Sequence, residues 1–184
     1  WLPAGQVHRL VGSCGRPSGK AAVHVCTTVE PRGIVQGLVG DCWLIAAVAA
    51  LAEFQKPIKD VFGEACGKLA SEVLGLYELT LYDPAKSFKK KVVHVNDRVP
   101  IFRRQDGFWQ PCFASTLGSE CWPMLLEKGI AKLLGGYTML NGNPSPLAFA
   151  MITGETKYHV LFPWSAKGAE RDKRWGEGEF RDLS

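Results

Sequence analysis

The run Gln36-Gly37-Leu38-Val39-Gly40-Asp41-Cys42-Trp43 continues without a break into the apolar stretch Leu44 to Leu51. It sets a cysteine at the mouth of a helix, behind a glycine-bearing loop, with a side-chain amide upstream. Gly37 and Gly40 carry no Cβ, so the backbone there can turn tightly and approach a substrate closely. Asp41 is a residue type that caps helix N-termini, which would start the helix at or beside Cys42. The thiol then lies at the positive end of the helix dipole, and its pKa is expected below the free value of about 8.5. The unpaired N–H groups of the first turn, together with the Gln36 amide, could point at a carbonyl oxygen as negative charge develops on it. Cys42 is therefore the candidate nucleophile and Gln36 a candidate oxyanion donor.

Several elements must position these residues. From Cys42 to Ala52 every side chain is apolar or small, which predicts a central helix surrounded on all sides. After Pro57, Ile58, Val61 and Phe62 suggest a short, partly buried helix. Between Val73 and Val99 the period turns to alternation: Tyr77, Leu79 and Leu81 lie on one face, Asp83-Pro84 gives a turn, and Lys91 to Val95 forms a second strand. Phe108-Trp109 is expected to close this small antiparallel element. Trp122, Leu125, Leu126, Ile130, Leu133 and Leu134 recur at helical spacing, with Pro123 in the first turn and Gly135-Gly136 as the stop. That helix should pack its apolar face on the central one, leaving Glu127, Lys128 and Lys132 on its exposed side. Leu147 to Ile152 suggests one more short helix, and the tail from Lys167 reads as irregular. Trp43 and Trp122 read as core, and Asp97-Arg98 as a turn with a surface ion pair.

Composition describes an ordinary globular chain. At 184 residues, 46% hydrophobic and 22% charged, it is long enough for one core. Net charge is only +4 and the basic residues are scattered, so a nucleic-acid partner is not implied. No apolar run approaches the length of about 18 residues that a membrane span requires. The six cysteines form no C-x-x-C pair, so the five besides Cys42 are expected to be free thiols and the setting intracellular.

Gln-Gly-x-x-Gly-Asp-Cys-Trp-Leu-x-Ala-Ala resembles the nucleophile segment of the calpains, the intracellular branch of the papain-like cysteine proteases. Trp122-x-x-Leu125-Leu126-Glu127-Lys128-x-x-Ala131-Lys132-Leu133-x-Gly135-x-Tyr137 resembles the second helix of the calpain first core domain, and Val93-x-Val95-Asn96-Asp97-Arg98-Val99-Pro100 the strand and turn before it. The resemblance implies an α+β fold: the papain-like first, nucleophile-bearing subdomain, mainly helical around a buried central helix, with a small antiparallel β element. Residues 34–184 would form that core subdomain and residues 1–33 an extended lead-in. It further implies a cytoplasmic endopeptidase acting on protein substrates through a thioester.

The thiol needs a histidine to take its proton and an asparagine to orient the imidazole. In papain-like enzymes that histidine lies roughly 130 to 150 residues after the cysteine. The last of the four histidines, His159, falls short of that distance, sits in a strand-like run, and no asparagine follows it. His8, His24 and His94 have no better claim. The resemblance accounts for this by placing histidine and asparagine on a downstream second core domain, so that this chain is a half-site, inactive by itself. The alternative is a calpain-like scaffold or protein-binding module with an incomplete dyad. The family also implies a calcium ion held by backbone carbonyls and two acidic residues. Glu120 occupies the second acidic position, and the first falls at Gly33, which has no side-chain oxygen. Without a metal, Glu120 would be a first-turn acid interacting with the helix dipole.

Overall fold

The computed structural model describes residues 2–3, 24–68, 75–116, 120–161 and 175–179; most of the N-terminal lead-in, with Cys14 and His8, lies outside them. The organising pair is an antiparallel hairpin of β3 (Leu76–Asp83) and β4 (Lys89–Asn96), in register Tyr77↔Val95 and Leu79↔Val93. Alternation puts Tyr77, Leu79, Leu81, Val93 and Val95 on the buried face. At its turn the Asp83 carboxylate accepts from Ala85 N–H at 3.0 Å and from Lys91 Nζ at 2.8 Å. Burial opposes ionisation of Asp83, but these donors prevail and hold its pKa below the usual value.

The described residues form four α-helices: α1 (Cys42–Ala52), α2 (Lys56–Phe62), α3 (Trp122–Leu134) and α4 (Ser145–Thr153), of which α2, α3 and α4 pack on the hairpin. All four lie where the sequence periods put them, and α3 ends where Gly135 adopts the left-handed conformation, φ 103°. Their apolar sides and the hairpin form one core, with Trp122, Leu44, Ile58, Leu125 and Met151 fully buried. Short two-stranded ribbons complete the fold: β1 (Leu2–Pro3) with β5 (Arg98–Val99), β2 (Ile34–Val35) with β8 (Ser115–Thr116), β6 (Ile101–Arg103) with β7 (Trp109–Pro111), and β9 (Lys157–Leu161) with β10 (Trp175–Glu179).

Several expectations are corrected. The central helix α1 is not enclosed all round: Cys42, Ala46 and Ala50 form an exposed stripe at intervals of four, which an all-apolar sequence cannot disclose. Helix α3 lays its face on the hairpin, Gly129 bringing its backbone against Leu79, whereas α1 packs mainly on α4. Glu127 is not on the exposed side of α3 but is 2% exposed. Trp109 pairs in a separate ribbon rather than closing the hairpin, and Trp175–Glu179 is a strand rather than irregular tail. Arg98 makes no ion pair with Asp97 among the described residues; its N–H is held by Asn96 Oδ1 instead. Cys26 and Cys66 are not free thiols but a disulfide, tying the segment before β2 to the turn after α2. Spacing could not announce that bridge, because the fold brings the two cysteines together across 40 positions.

Leu79, wholly buried between β4 and α3, should be a keystone: Leu79→Ala is expected to lower unfolding free energy by about 2–5 kcal/mol, read from the denaturant midpoint at unchanged m-value.

Candidate active site

Cys42 is the first residue of α1 and its side chain is exposed. The N–H groups of Leu44 and Ile45 both donate to the Asp41 carbonyl, at 2.8 and 3.0 Å. The N–H groups of Cys42 and Trp43 therefore stand ahead of the helical ladder, at the positive end of the helix. Trp43 is buried as expected, and its indole Nε1 donates to the Leu140 carbonyl at 2.6 Å. Asp41 stands at the N-cap position, yet its side chain makes no capping hydrogen bond. That carboxylate is turned inward and fully buried.

Two straps hold the loop ahead of Cys42. On one flank Leu38 N–H donates to the Cys112 carbonyl at 2.8 Å. Gly37 lies so close that a Cβ there would stand 2.5 Å from the Phe113 backbone, which is why this position takes only glycine. On the other flank Gly40 N–H donates to Asn141 Oδ1 at 2.9 Å and Gly142 N–H donates to the Gly40 carbonyl at 3.2 Å. The straps are joined, since the Phe113 and Tyr137 rings stack with centroids 3.6 Å apart. Gln36 Nε2 donates to the Val39 carbonyl at 2.9 Å. That bond holds the amide over the loop and uses one of its two N–H groups.

Beneath the loop, Glu127 of α3 accepts from Ala114 N–H at 2.9 Å through Oε2 and meets the Asp41 carboxylate. Burial first, and then the Asp41 contact, push the Glu127 carboxyl up to about 9. The Tyr137 phenol faces both carboxyls and is likewise raised, by burial foremost and then by their charge. None of Cys112, Phe113, Asn141 or Tyr137 carries a sequence signal for this role. Cys112 acts through its backbone carbonyl, and Asn141 lies 101 positions from Gly40.

The other expected residues lie apart from this cluster. Glu120 precedes α3 rather than occupying its first turn, and its oxygens accept from Thr27 N–H at 2.8 Å and Thr28 N–H at 3.1 Å. With both oxygens on backbone donors and Gly33 offering no carboxylate, these residues do not fit a calcium cage, which seeks six to eight oxygens. His94 pairs loosely with Glu78, Nδ1 to Oε1 3.6 Å, on the outer face of the hairpin, and His159 lies in β9. Burial pushes the Cys121 thiol up to about 12, the mark of an inert core cysteine. A cavity of about 840 Å³, lined by residues including Lys56, Asp60, Tyr82 and Lys90, contains no residue of the Gln36–Cys42 loop.

An exposed cysteine opening a core helix behind a strapped Gln-Gly loop matches what the sequence comparison finds: the calpain family cysteine protease model matches residues 15–173. The chain belongs to the calpain family. It is 35% identical over 121 residues to Calpain-9 of Rattus norvegicus, covering 66% of this chain and 16% of that protein. It is 33% identical to the Calpain-2 catalytic subunit of Gallus gallus with the same coverage, and 30% identical over 131 residues to Calpain-12 of Mus musculus, covering 71% and 17%. The chain thus spans about a sixth of the length of the curated relatives it matches. No helix among the described residues is long and apolar enough to cross a membrane.

Gly37→Ala is expected to cost about 1–3 kcal/mol of stability, because the new Cβ meets backbone that cannot rotate away. Denaturant unfolding of the variant beside the parent chain checks it.

Proposed function

We propose that this chain is the nucleophile-bearing half of a calpain-like cysteine endopeptidase, with residues 34–184 forming its papain-like first core subdomain. The observation that carries this reading is the exposed Cys42 thiol at the first position of α1, behind a loop fixed on both flanks. The Cys42 thiolate attacks the scissile carbonyl carbon of a protein substrate. The oxygen takes up the negative charge and receives the Cys42 N–H and the second N–H of Gln36. Collapse expels the amine and leaves a thioester, which water hydrolyses. The histidine that accepts the thiol proton and protonates the amine, and the asparagine that orients it, come from a downstream domain. The exposed Cys42–Ala46–Ala50 stripe of α1 supports this, because it leaves one side of the thiol for a second wall.

On this reading the protein works in the cytoplasm. The Cys26–Cys66 bridge pulls the other way, since disulfides persist in oxidising compartments. The second reading is a calpain-like scaffold or protein-binding module whose dyad is incomplete.

The 184-residue chain alone should not turn over a fluorogenic peptide, whereas a longer protein carrying the downstream domain should. In that longer protein Cys42→Ala is expected to lower kcat by at least about a thousandfold. Turnover by this chain alone that depends on Cys42 would overturn the half-site. An inactive longer protein, folded and with Cys42 intact, would instead support the scaffold.

A further inference from the structure

Asp41 is completely buried and Glu127 nearly so, at 2% exposure, and their side chains meet directly under the nucleophile loop. Among the described residues no N–H or hydroxyl donor reaches Oδ1 or Oδ2 of Asp41, or Oε1 of Glu127. Two ionised carboxylates cannot lie side by side in such a place without a cation or a proton between them. Among the described residues, Tyr137 from the turn Tyr137–Leu140 and the Ala114 N–H are the other polar groups that face the pair. Neither is a cation.

We propose that Asp41 and Glu127 share one proton, and that this protonated pair is the clamp that seats Cys42, with Glu127 acting as a positioning residue. The proton lies on Glu127 Oε1 and is donated to Asp41, while Glu127 Oε2 takes the Ala114 N–H. One side chain of α3 thus ties three things together: the Cys112–Ala114 strap, the start of α1, and α3 itself. The pair also bears on the thiol. Asp41 is bonded directly to Cys42 in sequence and sits at the same helix end. Delocalising its charge through a hydrogen bond lessens its competition with a thiolate for that dipole.

The sign of the pH effect follows. In the folded chain Glu127 keeps its proton to about 9, while in the unfolded chain it loses it near its ordinary value of 4.5. The folded state therefore binds more protons over that interval, and the stability from the pair is full at low pH and is lost as pH rises. Above the folded value Glu127 has lost its proton, and the loop should loosen.

The inference rests on the proposed nucleophile role of Cys42 only for its catalytic meaning; its test does not. Thermal midpoints of the parent chain, Glu127→Gln and Glu127→Ala would be measured from about pH 6 to about pH 10. The rate of Cys42 alkylation by iodoacetamide would be followed in parallel, with Cys42→Ala variants subtracting the other thiols. Glutamine keeps a donor toward Asp41 and an acceptor for Ala114 N–H but cannot ionise. The expected result is a parent midpoint that falls with pH, a Glu127→Gln midpoint that stays nearly level, and alkylation rates for the two that agree within about twofold at neutral pH but diverge above about pH 9. Glu127→Ala, leaving Asp41 buried without a partner, should be the least stable of the three at every pH or fail to fold. A Glu127→Gln chain with the parent's pH slope, with the instability of Glu127→Ala, or unfolded, would overturn the shared proton. Level midpoints with alkylation indifferent to Glu127 at every pH would overturn its positioning role. Loss of the peptidase reading would leave all of these outcomes intact.

Discussion

The turn from Gln36 to Asp41 has no secondary structure of its own and must end on a thiol held to within a fraction of an ångström. Its backbone is fixed by hydrogen bonds from both flanks, with Leu38 on the Cys112 carbonyl and Gly40 between Asn141 and Gly142. Each strap is in turn fixed to the core, through the Phe113–Tyr137 stack and through the Trp43 indole on Leu140. A loop seated this way holds its backbone in one conformation, which is what the oxyanion role proposed above would require.

The core below serves that loop. Helix α1 is held by α4, α2 and the turn Pro31–Gly33, with Trp43, Leu44, Ala47, Val48, Leu51 and Ala52 buried along it. The exposed remainder, the stripe of Cys42, Ala46 and Ala50, is made of small side chains. It would let another backbone come close without a bulky residue in the way. The buried carboxyl pair is a costly component of this base, since burial of ionisable groups is favourable only with a partner or a proton. The pair lies under the loop that carries Cys42 rather than in the general core.

Glu120 serves a structural end. Its carboxylate binds the Thr27 and Thr28 N–H groups and so anchors the segment that also carries Cys26. The same segment is pinned by the disulfide to Cys66, and His24 bridges to Glu120 at its start. The result is a clip between the beginning of the described chain and the start of α3, built from backbone donors.

Much of the architecture was legible in the order of residues. The 3.6 period of Trp122 to Leu134, the alternation of Leu76 to Tyr82, the Asp83-Pro84 turn and the Gly135 stop each depend on neighbours within a few positions, and each appeared where expected. Cys42 at the head of α1 follows for the same reason, as does membership of the calpain family, which rests on local motifs. What only the tertiary structure decided is who faces whom. An all-apolar helix does not say that Ala46 and Ala50 stay in water. A Glu-Lys pair on an amphipathic helix looks like solvent-facing charge until Asp41 is found opposite Glu127. The disulfide, the two straps and the inward turn of Asp41 join positions far apart in the chain, and such contacts arise from how whole elements pack, for which spacing along the sequence carries no signal.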